Sequence, residues 1–395
     1  MLLGLNVLDW VLIVLVALFV LSGWRKSFLV ALGGIVGVLA GATAAFFAVP
    51  VVSVWVKDPT WRIVALVLVF VALLAIGHGL GEALAARIRN WMDMPRPRWW
   101  GRAGGALIHL AVSAFVISGL AFTFSALGLP ALSTQIADSK MVAGSRAVTP
   151  APVQRALGQA RSLVAGLPLP ELLTPPTTHE DVTVPAAPIV TPSIQAARQS
   201  VARITGTAEE CGVNQTGTSF VIAQDRVITN AHVVAGVDRP VVETADGRAL
   251  TGRVVSFDPV RDVAVVAVDG LDLPALRLGG DLSTGDTAEF MGFPAGGPFT
   301  SLPAAVQSER TVSVPNIYGQ KASALQIYQL AADVQQGNSG GPLLDADGRV
   351  TGMVFAKAKD RADVGYALTL DELRAAVRQA PSRSQAVSSG SCTTH

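Results

Sequence analysis

Four long apolar stretches near the N-terminus constrain the fold of this chain more than any other feature of its sequence. They cover residues 7–23, 28–49, 61–81 and 104–128. Each is close to the roughly 20 residues with which a helix crosses the hydrocarbon core of a bilayer. Because the first stretch lacks a basic lead-in and a small-residue cleavage site, we interpret it as a retained span rather than a signal peptide. The sequence therefore predicts an all-α block of four transmembrane helices over residues 1–137.

Basic residues in the loops predict how this block lies in the membrane. Arg25 and Lys26 lie between the first two stretches. The loop between the third and the fourth carries Arg87, Arg89, Arg96, Arg98 and Arg102. Because lysine and arginine accumulate in cytoplasmic loops, we expect both loops inside and everything after the fourth span outside the cytoplasm. We predict a multi-pass cell-membrane protein whose partner is the lipid bilayer. A nucleic-acid partner is not expected, since the formal net charge is only +1.

Small and ionisable residues interrupt these apolar stretches. Glycines recur at four-residue spacing, which suits close packing of helices. His78 and His109 lie within or beside the stretches, with Glu82 as the nearby acid. Ionisable side chains are costly to place in a membrane, so proton handling is one interpretation. Neutral packing of the two imidazoles is the favoured one.

Three residues in the C-terminal half have the types and the order of a catalytic triad. His232 follows a strand-like apolar run, Asp262 opens another, and Ser339 lies in the segment Gly-Asn-Ser-Gly-Gly. A serine hydroxyl is a weak nucleophile, so Ser339 needs His232 to take its proton, and Asp262 orients the imidazole. The amides of Gly337 and Ser339 are candidates for an oxyanion hole. An ordinary turn would explain the glycine-framed serine alone, but the three residues together predict a serine endopeptidase.

The segments Thr-Asn-Ala-His-Val-Val and Gly-Asn-Ser-Gly-Gly-Pro resemble those of the trypsin-like serine proteases, over about residues 193–380. The resemblance implies two six-stranded antiparallel β-barrels, with His232 and Asp262 in the first and Ser339 in the second. Digestive members carry an aspartate where this chain has Asn338, and that aspartate pairs with a newly cut N-terminus. Activation by N-terminal cleavage is therefore not expected. The predicted fold is the four-helix membrane block followed by an all-β, trypsin-like double β-barrel domain over residues 193–395.

The region between the two predicted domains is rich in proline. It carries Pro150, Pro152, Pro168, Pro170, Pro175, Pro176, Pro185, Pro188 and Pro192. We predict that residues 138–192 form an extended connector rather than a core. Two roles stay open, a passive tether and a self-cleavage site, and the sequence favours neither.

The order of these parts carries a further resemblance. The four-span block resembles the colicin V production family. Four spans, a proline-rich connector, a trypsin-like domain and two cysteines together resemble the actinobacterial, mycobacterial-type membrane-anchored periplasmic serine proteases of acid resistance. That resemblance implies cleavage of envelope or secreted proteins in acid or oxidative stress. The alternative is a catalytically idle protease-like module that binds envelope proteins for a transport or scaffold block.

The cysteines and two candidate pocket residues complete the sequence predictions. Cys211 and Cys392 both fall in the region expected outside, so we predict a disulfide between them, with two free thiols as the alternative. No His or Cys cluster has metal-ligand spacing, and we predict neither a metal nor a cofactor. Asp333, six residues before Ser339, either selects basic substrate residues or caps its own loop. Phe355 is the other candidate for the substrate pocket.

Overall fold

The computed structural model describes ten segments of the chain. They are residues 5–26, 28–55, 59–92, 99–125, 135–136, 139–150, 170–172, 182–208, 210 and 213–393. The chain divides into a membrane unit, Met1–Leu120 with Ser139–Thr149, and a protease unit, Ala121–Asp138 with Pro150–His395. Most of the proline-rich connector lies outside the described residues, and so does Cys211.

Long apolar helices form the membrane unit. They are α1 (Val7–Trp24), α2 (Phe28–Trp55), α3 (Pro59–Trp91) and α4 (Trp99–Ser125), and a short helix α5 (Lys140–Val148) follows. Each of the first four is long and apolar enough to cross a bilayer. Their large apolar side chains are exposed along much of each helix, as lipid-facing residues are. The prediction of four membrane-spanning helices is therefore confirmed.

Close backbone contact joins α2 to α3. A methyl group on Gly37 would lie 2.0 Å from the Gly77 carbonyl oxygen, and one on Gly81 would lie 2.1 Å from that of Gly33. Only glycine permits two helices to approach so closely, and van der Waals packing then holds them together. The glycines spaced by four residues therefore lie at this helix interface.

A polar network fixes the start of α1. The Asn6 side chain accepts a hydrogen bond from the Asp9 amide, and the Asp9 carboxylate accepts one from the Asn6 amide, which together form a capping box. Asp9 also accepts hydrogen bonds from the Ser139 hydroxyl at 2.6 Å and the Met141 amide at 3.0 Å. The buried carboxylate of Asp9 thereby links α1 to the start of α5.

Antiparallel strands form the first sheet of the protease unit. They are β2 (Val201–Ala208), β3 (Val213–Ala223), β4 (Arg226–Thr229), β5 (Val241–Glu243), β6 (Ala249–Thr251), β7 (Arg253–Asp258) and β8 (Val263–Ala267). The strand order is β6-β5-β2-β3-β4-β8-β7. The two edge strands, β6 and β7, follow each other in the chain with only Gly252 between them. The sheet must therefore curl round to bring its edges together, as in a barrel.

A second curled sheet follows it. Its strands are β1 (Glu171–Leu172), β9 (Thr287–Gly292), β10 (Thr300–Val314), β11 (Ser323–Ala331), β12 (Pro342–Leu344), β13 (Val350–Ala358) and β14 (Val364–Thr369). The order is β1-β13-β12-β9-β10-β11-β14, and β13 also pairs with β14, which closes six antiparallel strands into a ring. Strand β1, from the connector, adds to β13 in parallel. This architecture confirms the predicted trypsin-like double β-barrel, but the first sheet contains seven strands where six were expected.

Strand register in the first barrel positions two of the candidate catalytic residues. Thr229, the last residue of β4, pairs with Ala264 near the start of β8. Just beyond β4 the chain forms the short helix α6 (Ala231–Val234), which carries His232, and Asp262 immediately precedes β8. Every side chain of β8 is buried, because both faces of this apolar strand pack into the domain. The buried strand therefore holds Asp262 next to the end of β4.

Candidate active site

His232 and Asp262 form a pair with two hydrogen bonds. His232 Nδ1 lies 2.7 Å from Asp262 Oδ2, and the His232 backbone amide donates to Asp262 Oδ1 at 2.9 Å. A carboxylate only accepts, so Nδ1 carries a proton in this contact. In the neutral imidazole, Nε2 is then the unprotonated nitrogen that can act as a base. Both side chains are largely buried, at 14% and 10% exposure, which strengthens the contact between them.

The backbone of Asp262 is held in an uncommon conformation. Its φ angle is +58°, in the left-handed region that few residues other than glycine adopt. The Asn230 side chain donates to the Asp262 carbonyl oxygen at 2.9 Å, and Asn230 is fully buried. Asn230 thus helps to aim the carboxylate at the imidazole. The position of Asn230 two residues before His232 gives no hint of this contact in the sequence.

Ser339 lies in a loop that is fastened to the first barrel by Thr218. The Thr218 amide donates to the Ser339 carbonyl oxygen at 2.8 Å, and its hydroxyl donates to the Gly337 carbonyl oxygen at 2.6 Å. Both bonds are buried, and Thr218 belongs to β3. The loop cannot shift along the first barrel without breaking them. Sequence reasoning missed Thr218, because only the packing of the two barrels brings it to this loop.

Glycine is required at two positions of this loop. Gly337 has φ +93° and Gly340 has φ +81°, both in the left-handed region. A methyl group on Gly337 would lie 2.3 Å from the Phe293 carbonyl oxygen, and one on Gly340 would lie 2.1 Å from that of Thr218. Any side chain at either position would therefore strain the backbone and collide with its neighbours.

The turn before Ser339 is shaped by Asn338 and Gln336. The Asn338 side-chain oxygen accepts a hydrogen bond from the Gln335 amide at 2.9 Å, and the Gln336 carbonyl oxygen accepts one from the Ala295 amide at 2.5 Å. Asn338 is completely buried. Among the described residues, the amides of Gly337 and Ser339 donate no backbone hydrogen bond. They remain available as donors to an incoming carbonyl oxygen.

The Ser339 hydroxyl is buried and makes no hydrogen bond to any described residue. Its hydrogen bond with His232 is therefore not formed in this structure. Of the three predicted triad side chains, only those of His232 and Asp262 are in direct contact. Ser339 is nevertheless close to the histidine helix. Its carbonyl oxygen and the Val233 side chain both lie within 3.0 Å of the place where a methyl group on Gly217 would be.

A cavity of about 330 Å³ opens beside the histidine. Its lining includes His232, Asp262, Phe355 and the connector residue Leu172. The connector reaches it through β1, where the amides of Lys357 and Lys359 donate to the Pro170 and Leu172 carbonyl oxygens at 3.1 and 2.9 Å. A piece of the connector therefore lies against β13 at the rim of the cavity that contains His232.

The remaining predicted site residues lie in different surroundings. Asp333 is exposed, and its carboxylate accepts a hydrogen bond from the Gln335 side chain at 3.0 Å. Phe355 is buried at 2% exposure and faces the cavity. Cys392 is buried beside Ala208 and Val237, and no cysteine among the described residues is free. No group of potential metal ligands occurs at this site within the described part of the chain.

A buried acid lies elsewhere in the second barrel. Glu289 on β9 is completely buried and accepts hydrogen bonds from the Ser301 hydroxyl at 2.7 Å and from the Ile189 amide at 3.0 Å. Burial raises the pKa of the Glu289 carboxyl, although these two hydrogen bonds oppose the shift. The protonated form of Glu289 is thus favoured by folding.

Comparisons with known proteins identify the family. Residues 217–353 match the trypsin-like peptidase domain, and residues 8–150 match the colicin V production protein. The serine protease Rv3671c of Mycobacterium tuberculosis is 31% identical over 392 residues, which cover 94% of this chain and 95% of that protein. The chain belongs to this serine protease family. It joins a colicin V production-like membrane part to a trypsin-like peptidase domain, as the sequence predicted.

A solved structure and a relative that matches over a shorter stretch agree with that assignment. The crystal structure of the Rv3671c protease in its active form has a TM-score of 0.51 and 37% sequence identity, covering 56% of this chain and 100% of that one. The putative serine protease HhoB of Synechocystis is 36% identical over 162 residues, covering 39% of this chain and 38% of HhoB. The protein is therefore a membrane-associated serine protease.

Proposed function

We propose that this protein is a membrane-anchored endopeptidase that cleaves envelope or secreted proteins through His232, Asp262 and Ser339. The observation that carries the proposal is the pair of hydrogen bonds between His232 and Asp262, which leaves the Nε2 of a neutral imidazole as a base. A catalytically idle binding module would have no need for this arrangement. The backbone amides of Gly337 and Ser339 form the oxyanion hole.

Each residue has a role in the two halves of the reaction. His232 Nε2 takes the Ser339 proton as Oγ attacks the peptide carbonyl, and the resulting oxyanion accepts hydrogen bonds from the Gly337 and Ser339 amides. His232 then gives the proton to the leaving amine, and water repeats the sequence on the acyl-enzyme. Asp262 stays ionised and stabilises the imidazolium. The Ser339–His232 hydrogen bond, which is absent from this structure, must form before the proton is transferred.

Turnover by the full-length protein in detergent tests this proposal. Hydrolysis of an unfolded protein substrate should fall by about 10⁴-fold or more in both His232→Ala and Ser339→Ala, with helix and strand content unchanged by circular dichroism. Asp238→Ala, at an exposed position in the segment that follows the histidine helix, serves as the control and should keep most of the activity. Full turnover in either triad variant would disprove the assignment.

We further propose where the substrate side chain binds. Phe355 is assigned to the primary pocket because it is buried and lines the cavity beside His232. Asp333 is assigned to the loop, because its exposed carboxylate is hydrogen-bonded to Gln335 within that loop. A peptide series that varies only the residue before the cut bond tests the assignment of Asp333. We expect an aliphatic preference that Asp333→Ser leaves unchanged, whereas a basic preference that collapses in this variant would reverse the assignment.

We infer an extracytoplasmic protease with three parts, a membrane domain over residues 1–137, a connector over residues 138–192 and a protease domain over residues 193–395. Arg87 and Arg89 at the end of α3, Arg102 at the start of α4, and Arg96 and Arg98 between these helices support a cytoplasmic position for the loop that joins them. Alkaline phosphatase fused after the last residue should then be active, and the same enzyme fused within the arginine loop should be inactive. The reverse pattern would place the protease in the cytoplasm.

We also propose a Cys211–Cys392 disulfide and a role in acid or oxidative stress. The burial of Cys392 against β2, and the absence of a free cysteine among the described residues, support the disulfide. Burial raises the pKa of the Glu289 carboxyl, and a group with a raised pKa contributes its stability at low pH, which supports stability in acid. A deletion strain that grows as well as its parent at low pH and under peroxide would contradict the stress role.

A further inference from the structure

Two histidines and a glutamate converge inside the membrane unit. His78 and Glu82 are four residues apart on α3, so they share one face of that helix, and His109 projects from α4. One ligand atom from each residue lies within 4.8 Å of the other two. His78 Nε2 is 3.2 Å and His109 Nε2 is 3.6 Å from the same carboxylate oxygen, Glu82 Oε1. No metal-ligand spacing is visible in the sequence, because the third residue comes from another helix.

The tautomer of His109 is set by its other nitrogen. His109 Nδ1 lies 2.9 Å from the Gly105 carbonyl oxygen, which can only accept, so Nδ1 carries the proton. In the neutral ring Nε2 therefore carries a lone pair, and this nitrogen faces Glu82 Oε1, which is also an acceptor. Neither atom has a hydrogen-bond partner among the described residues, although His109 is only 1% exposed. Two buried acceptors facing each other are costly unless a cation lies between them.

The surrounding residues hold the two imidazoles in place. A methyl group on Gly23 would lie 2.6 Å from the His109 ring, and one on Gly34 would lie 2.7 Å from the His78 ring. Each imidazole therefore occupies space that is available only because a neighbouring helix has glycine there. Phe19 packs against both rings, with centroid distances of 4.5 Å to His109 and 5.5 Å to His78. Such fixed rings present their nitrogens with little loss of entropy on binding.

The other oxygen of the glutamate is occupied. Lys26 Nζ lies 2.5 Å from Glu82 Oε2, so one oxygen of this carboxylate is committed to the lysine. Oε1 remains directed at the two imidazole nitrogens. The lysine charge opposes a second cation, whereas the carboxylate charge attracts one. Lys26 therefore weakens binding of a cation at Oε1 without contributing a ligand.

We propose that His78 Nε2, Glu82 Oε1 and His109 Nε2 form a binding site for a divalent transition-metal ion, with zinc as the best match. Two imidazole nitrogens and one carboxylate oxygen are a common zinc ligand set, and a ligand histidine typically donates its other N–H to a carbonyl, as His109 does to Gly105. A shared proton would satisfy one of the acceptor pairs, whereas an ion with several coordination positions satisfies all three ligands. The bound ion links α3 to α4.

Metal binding to the full-length protein tests the site directly. The protein is purified in detergent, treated with a chelator, and titrated with Co²⁺, whose visible absorption reports the geometry of nitrogen and oxygen ligands. We expect about one Co²⁺ per chain with a tetrahedral spectrum, displaced by Zn²⁺, and a rise in the melting temperature of the membrane unit. No visible spectrum and no metal retained on gel filtration would overturn the proposal, and would leave a shared proton as the cation.

Variants distinguish the proposed metal ligands from the residues that lie beside them. Glu82→Gln and His109→Gln should each lose at least about tenfold in Co²⁺ affinity, because each removes a ligand or its charge. Lys26→Met, which alters the same cluster without removing a ligand, should keep the stoichiometry and bind Co²⁺ more tightly. Unchanged affinity in both ligand variants would place the metal elsewhere. Gel filtration and circular dichroism identify any variant that has not folded. The wild-type titration tests the site even if a variant does not fold.

Discussion

Replacing Asp262 by asparagine should disable the base by reversing the tautomer of His232. The wild-type carboxylate accepts from two donors, the His232 backbone amide at Oδ1 and the ring Nδ1 at Oδ2. Asparagine offers one oxygen and one NH₂ group. The backbone amide is a fixed donor, so the amide oxygen must face it, and the NH₂ group then faces Nδ1. Nδ1 must become the acceptor, and the proton moves to Nε2, where the base is needed.

The expected loss is about 10⁴-fold in kcat, which corresponds to about 5 kcal/mol of activation free energy at 1.36 kcal/mol per factor of ten. Peptide hydrolysis measured across the pH range gives kcat, and thermal unfolding checks the fold. Asp258→Asn is the matched control, because its exposed carboxylate accepts from the Val260 and Arg261 amides and makes no contact with His232. That variant should stay within about twofold of wild type. An active Asp262→Asn enzyme together with an inactive Asp258→Asn enzyme would refute the assignment.

Three further predictions follow from the protease unit. Cys211→Ser and Cys392→Ser should each lower the free energy of unfolding by the same amount, about 2–5 kcal/mol, and the double variant should lower it by no more than either alone. Additive losses would exclude the disulfide. Because the pKa of Glu289 is raised, its contribution to stability is present below the ordinary glutamate pKa and is lost as pH rises through the folded-state pKa. Glu289→Gln should therefore raise the melting temperature at pH 7 and not at pH 4. An equal change at both values would show that Glu289 does not titrate in this range. Replacing Glu171 and Leu172 by glycines should raise kcat/KM about threefold to tenfold, because the partly buried leucine holds the connector at the cavity. Unchanged kinetics would identify a passive tether.

Some parts of the fold and the site could be predicted because they depend on residues close together in the chain. The apolar stretches predict the four helices, and the glycines around Ser339 indicate a turn. The left-handed angles at Gly337 and Gly340 are known from the structure. His232 was recognised because it follows a strand, and Asp262 because it opens one. Length, hydropathy and local turn chemistry are enough for such predictions.

Other parts depend on how distant elements meet, which the sequence does not reveal. Thr218 reaches the Ser339 loop only because the two barrels close against each other. The parallel pairing of Glu171–Leu172 with β13 has no local signal, since a proline-rich segment predicts an extended chain without naming its neighbour. The favoured sequence interpretation of His109 was neutral packing. Its approach to Glu82 depends on the rotation of α4 relative to α3, which hydropathy cannot give.

Labelling by a fluorophosphonate tests the central claim, an activated serine at position 339, most directly. The probe reacts with a serine whose hydroxyl is activated by a neighbouring base and whose oxyanion is stabilised. Intact mass spectrometry of the full-length protein should show one adduct per chain, mapped to the peptide that contains Ser339. The adduct should be absent in Ser339→Ala and strongly slowed in His232→Ala. No adduct on the folded wild-type protein, or one that survives Ser339→Ala, would contradict the assignment of Ser339 as the nucleophile.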